Sequence, residues 1–204
     1  MKRIVALSIV VLARAGCSAK SATPAKVGAS VTTTTAPAPD LRPLLLAVSD
    51  LPTGWAVDNT PQSASTSCYT NPLKQVASTA YANINFAQGG SLPELAQELG
   101  LYASGPSAFA TVTKTLNTCK TFTETSKGQV VNGVMGPMSS PTYGDQSAAY
   151  DATLTIQGVD VNQGFVMVRK GNYITLIALG DIGSLDAPTM QGFVNQAVTK
   201  IPSA

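Results

Sequence analysis

QSAAYDATLTIQGVDVNQGFVMVRKGNYITLIAL, residues 146–179, holds three runs rich in β-branched and aromatic residues, divided by two short breaks. The runs cover 146–157, 161–170 and 173–179. Gly158-Val159-Asp160 and Gly171-Asn172 between them are hairpin signals. A parallel pair needs a crossover of a dozen or more residues, so connections this short make the three strands an antiparallel meander.

Working outward, residues 129–138 read as a strand before the meander. Further upstream, Ala80, Ala82, Ile84 and Phe86 alternate with Tyr81, Asn83 and Asn85, the period of a half-buried strand, and Gly89-Gly90 turns the chain after it. Residues 95–102 fit two templates: Leu95, Leu99 and Tyr102 suit a helix, while Leu95, Leu99 and Leu101 suit a strand, which is preferred. Phe109, Val112, Leu116 and Cys119 mark one face of a helix over 106–120, opened by Gly105 or Ser107. Met190, Phe193, Val194, Ala197, Val198 and Ile201 mark another over 187–200. A third helix is expected over 41–48, with Asp40 as N-cap. It stops at Leu51-Pro52-Thr53-Gly54, and Trp55 packs where the chain enters the domain. The expected architecture is α+β: an antiparallel sheet of about five to six strands with flanking helices packed on it.

The N-terminus reads as an export signal. Met1-Lys2-Arg3 is a short positive start, residues 4–13 are uncharged and mostly apolar, and Arg14-Ala15-Gly16-Cys17 follows. Ten apolar residues fall well short of the roughly twenty that span a bilayer. Ala15-Gly16-Cys17 resembles a bacterial lipobox, although Arg14 stands where Leu or Val is usual. That resemblance implies cleavage before Cys17 and diacylation of Cys17, and two acyl chains suffice for stable anchoring. The other reading is an ordinary secretory signal, hence a secreted protein. Residues 18–39 are dense in Ala, Thr, Ser and Pro and read as an unstructured spacer. The expected organisation is therefore a signal over 1–16, a lipidated Cys and spacer over 17–39, and one extracytoplasmic domain over 40–204.

The formal charge is +2, but removing Lys2, Arg3 and Arg14 from the 13 basic residues leaves ten against 11 acidic ones. No Lys/Arg cluster remains for phosphates, which argues against nucleic acid as a partner. Of the three cysteines, Cys17 takes lipid and leaves Cys68 and Cys119 as an even pair in an oxidising compartment. A disulfide between them is expected. Two free thiols or a metal pair are the alternatives, but the chain has no His, the commonest partner at such a metal site.

Several stretches resemble actinobacterial surface lipoproteins and the PknH-like extracellular sensor domain of mycobacterial receptor kinases and lipoproteins. They are Leu44-Leu45-Leu46 leading into Asp50-Leu51-Pro52-Thr53-Gly54-Trp55, and Ala108-Phe109-Ala110 leading into Cys119-Lys120-Thr121-Phe122. Gly144-Asp145-Gln146-Ser147-Ala148-Ala149 and Val166-Met167-Val168-Arg169-Lys170-Gly171-Asn172 complete the set. The resemblance implies an antiparallel sheet flanked by helices, an extracytoplasmic location, and a ligand-binding or sensing role. This chain departs from the kinase sensors in offering one disulfide where they usually have two, and in carrying no kinase segment.

Catalytic sets are sparse. Without His, Ser-His-Asp and Cys-His arrangements cannot be built, and neither a Ser-x-x-Lys motif nor a Walker loop occurs. Glu94 and Glu98 would share a helical face as a carboxylate pair, against the commoner reading as solvated surface. Asp145 after Gly144 could face a ligand, against the commoner reading as a turn. Trp55 and Tyr143 could line a pocket, against core edge; Arg169-Lys170 read as hairpin charge, and Met135 and Met138 as packing. The chain is thus expected to be no enzyme, to need no metal or cofactor, and to bind a small molecule or envelope component. The alternative is a module that docks another envelope protein, whose identity the sequence does not give.

Overall fold

A computed structural model describes residues 37–60, 67–126 and 129–203. The signal, Cys17 and nearly all of the spacer lie outside them. Eight strands form one sheet in the order β1-β2-β3-β8-β7-β6-β5-β4, with every neighbouring pair antiparallel. In chain order they are β1 (Trp55–Val57), β2 (Ala80–Gln88), β3 (Ser91–Leu101), β4 (Thr121–Ser126), β5 (Gln129–Pro137), β6 (Gln146–Ile156), β7 (Val159–Lys170) and β8 (Tyr173–Ile182). Among the described residues two α-helices accompany them, α1 (Gly105–Thr118) and α2 (Ala187–Lys200).

This corrects the expectation of five to six strands with flanking helices. The sheet dominates, and the two additional strands carried weak signals. β1 is three residues long, too short to show alternation. β4, Thr-Phe-Thr-Glu-Thr-Ser, reads as a polar connection, yet Thr sits well on a pleated surface. The helix expected over 41–48 is replaced by two 3₁₀ turns, Arg42–Leu44 and Val48–Asp50. Leu45 and Leu46 are both buried, but they lie between the turns in a stretch that Leu45, at φ −76° and ψ 160°, makes extended rather than helical. Asp40 is no cap either. It grips Arg42 through the backbone N–H and the guanidinium, a hydrogen bond that holds its carboxyl below the usual range.

The hairpin chemistry explains the central meander. Gln157 and Gly158 both have positive φ, as a two-residue primed turn between β6 and β7 requires. Gly171 turns the chain between β7 and β8 at φ 60°. α1 is capped by Ser104, whose Oγ accepts from the Ser107 amide, and its first residue must be Gly. A Cβ on Gly105 would lie 2.3 Å from the Gly171 carbonyl oxygen of the β7–β8 turn.

A main core lies on each face of the sheet, and a smaller third cluster gathers Leu41, Leu45, Ala80, Ala82, Leu99 and Ile201. Ala108, Phe109, Val112, Leu116 and Cys119 of the α1 region pack on Met135, Tyr150, Phe165, Met167, Leu176 and Ala178. On the opposite face Met190, Phe193, Val194 and Ala197 of α2 pack on Phe86, Leu95, Val166, Val168, Ile177 and Leu179. Trp55 meets Phe193 edge to face at 5.6 Å between ring centroids. Among the described residues, no helix is long and apolar enough to cross a membrane.

Candidate functional site

Under the N-terminal end of α2 the apolar packing is incomplete, and a partly enclosed cavity of about 110 Å³ remains. Its floor is the sheet: Gly164 and Val166 of β7 and Leu179 of β8. Leu185 and Met190 roof it, and Met138, Pro141 and Tyr143 of the β5–β6 connection form the far wall. Ser139, Ser140 and Gln191 stand at the exposed rim. No Asp, Glu, Lys or Arg lines it among the described residues. Such a space favours apolar matter and gives an ion no partner.

Gly164 makes the space. In a β7 otherwise packed with large side chains, it alone presents no side chain to α2. A Cβ there would stand 3.1 Å from Leu185 Cδ1 and 3.9 Å from both Met138 Cε and Met190 Cε. Three flexible side-chain ends thus surround the position a side chain would fill. An isolated Gly inside a strand marks a close approach or an inserted partner. Gly164 is thus the sequence signal that marks the cleft. Met138 and Tyr143, read from the sequence as packing and core edge, are walls of this cleft.

The α1 face is finished differently. Cys68 and Cys119 form a disulfide with 5.8 Å between Cα atoms, clamping residues 67–76 over the end of that core. Tyr69 in this segment stacks on Phe122 at 4.2 Å and donates to Glu124 at 3.0 Å. Leu73 is fully buried, and its carbonyl accepts from Tyr102 Oη at 2.8 Å. Beneath it lies Glu98, only 6% exposed, accepting from Tyr81 Oη at 3.1 Å and from the Leu73 and Lys74 amides. Burial pushes its carboxyl up to about 7, against the pull of those donors and of Lys74. Burial, with the nearby Glu98 charge, likewise raises the Tyr81 and Tyr102 hydroxyls.

The remaining sequence candidates find structural places. Glu94 and Glu98 sit on β3, not a helix; four residues along a strand separates them by about 13 Å. Glu94 is exposed while Glu98 is enclosed, so they make no paired acid and base. Asp145 accepts from Arg169 at 2.9 Å and from the Gly171 amide at 2.8 Å, binding the two hairpin ends together. Lys170 donates to the Val198 and Ile201 carbonyls at the end of α2. Met135 is buried on the α1 face. No group of three or more His, Cys, Asp or Glu positioned for a metal occurs among the described residues.

No family model matches the chain, and no curated protein matches it by sequence. Its fold is that of a solved structure, the extracellular domain of PknH from Mycobacterium tuberculosis, with a TM-score of 0.58 at 16% identity. The match covers 77% of this chain and 92% of the other.

Proposed function

We propose that the chain is a non-catalytic, sensor-like domain that binds an apolar small molecule or envelope component in the cleft beneath α2. A lipid on Cys17 holds it at the outer face of the cell membrane. The observation that carries the binding role is the cleft itself: apolar, uncharged, partly enclosed, and created by a glycine where a packed sheet would place a side chain. The likeness of fold to an extracellular domain and the export-signal pattern support the location. The sparse catalytic inventory of the sequence supports a role without chemistry.

Native mass spectrometry of protein extracted gently from its own membranes tests the binding role. Wild type is expected to carry a co-purifying small molecule that Gly164→Leu lacks; identical bare masses for both would end the reading. Metabolic labelling with a palmitate analogue tests the anchor, with label expected on wild type and none on Cys17→Ala.

A second reading has one observation in its favour. Val130 and Val134 on β5 are 57% and 62% exposed, beside Thr123, Asn132 and Thr153 at the β4–β5 edge of the sheet, on the face opposite the α1 core. A docking protein could cover that surface. Crosslinking in intact cells from a photoreactive group at residue 134 would then capture one discrete partner, and no adduct would dismiss the idea.

A further inference from the structure

The shape and chemistry of the cleft say more about its occupant. Resting on the ligand-binding reading above, we infer that the cleft takes the end of a single straight alkyl chain, with the polar head left at the Ser139–Ser140 rim.

Size is the first ground. The space of about 110 Å³ is far below the roughly 300–1,000 Å³ of pockets for drug-sized ligands. It is also below the roughly 150 Å³ of an apolar cavity that admits one benzene ring. Fused rings and branched skeletons are therefore too bulky, whereas a slender chain is not. Taking each methylene as about the 30 Å³ share of a water molecule, roughly four methylenes fill the cleft.

Polarity is the second. The exposed polar side chains, Ser139, Ser140 and Gln191, stand at the mouth, while the interior is aliphatic and thioether apart from the buried Tyr143 ring of the far wall. That gradient suits an amphiphile inserted tail first. The absence of charge at the rim leaves the head group unspecified, so an alcohol and a carboxylate with equal tails should bind alike.

Adaptability is the third. Met138 and Met190 bring unbranched, polarizable ends to the space, which can follow a flexible chain better than they can frame a rigid plane.

A homologous series of 1-alkanols, from butanol to decanol, titrated calorimetrically into the full chain carrying Cys17→Ser, tests this. Affinity is expected to rise about fourfold for each methylene that enters the cleft, then level off once about four to six are accommodated. Gly164→Leu should weaken the longer alkanols at least tenfold. Leu185→Trp, at a half-buried position by the mouth, provides a second blocked variant should Gly164→Leu fold poorly. Benzyl alcohol and 2-naphthol form the opposing arm. If these bind and are lost in the blocked variants while alkanols do not bind, the alkyl inference is overturned and the cleft keeps its role. Should neither class bind, or should both bind regardless of the blocked variants, the cleft reading itself fails and takes the inference with it.

Discussion

The two faces of the sheet are closed by different means. On the α1 side a disulfide, a buried carboxylate and stacked aromatic rings pin residues 67–76 over the core. On the α2 side the cover is helix against sheet without a covalent bond among the described residues, and one glycine leaves a hole in the packing. Interiors are ordinarily packed as densely as organic crystals, so a space maintained on one face while the other is stapled assigns the faces different tasks. The α1 face supplies stability; the α2 face supplies room.

That division predicts unequal responses to perturbation. The largest should come from opening the disulfide. Cys68 and Cys119 are 51 residues apart, and freeing a loop of that size costs up to about 4 kcal/mol in the chain-entropy model. Urea unfolding of the Cys68→Ala/Cys119→Ala double variant should show a loss approaching that figure. Unchanged stability would mean the segment is held without its staple.

Next is Glu98. Its folded-state value of about 7 lies above the ordinary carboxyl value of 4.5, so between those pH values the native state holds more proton than the unfolded chain. Stability should be greatest below pH 4.5 as far as this group is concerned, and fall as pH rises through 7, by on the order of 3 kcal/mol. Asp40 and Asp50 are lowered from 3.8 and act only below this window. Glu98→Gln should flatten the pH dependence measured by denaturant titration between pH 5 and 8. A slope identical to wild type would show that the carboxylate is not enclosed as described.

A matched pair of glycine substitutions sharpens the contrast. A Cβ on Gly133, on the α1 face, would fall 2.0 Å from Phe122 Cζ, in a ring already stacked on Tyr69. Gly133→Ala should cost about 2 kcal/mol by overpacking. Gly164→Ala comes close only to flexible side-chain ends, tightest at Leu185 Cδ1, and removes a glycine from a strand, so thermal unfolding should place it within about 1 kcal/mol of wild type, on either side. Equal penalties at both positions would erase the distinction between the faces. The smallest effect is expected at Val134→Thr, an exposed strand position, which should change stability by less than about 0.5 kcal/mol.

Much of this division was legible from residues alone, and its gaps have physical reasons. The meander and both helical faces follow from hydrophobic period and turn residues, because each helix has one strong apolar stripe. Cys68 and Cys119 were paired by arithmetic and are joined in the structure. The strand count was not legible, since β4 hides among threonines and β1 is too brief. Neither was the burial of Glu98: a carboxylate on a strand reads as solvent-facing unless the segment that folds over it is known. That segment, residues 67–76, is a loop with a single 3₁₀ turn over Pro72–Gln75 and lies about 25 residues away in sequence. The cleft was half legible. Gly164 stood as an unexplained break in an apolar strand, but which side chains surround it depends on where α2 and the β5–β6 connection settle.

The methionines offer the most direct test, because they divide between the two faces. Met138 and Met190 border the cleft, while Met135 and Met167 lie in the α1 core. With methionine methyl groups ¹³C-labelled, an extract of the producing cell's envelope is added and the methyl spectrum followed. The account predicts saturable shifts of Met138 and Met190 with Met135 and Met167 unmoved, and no shift in Gly164→Leu. Four stationary methyls, or four that move together, would contradict it.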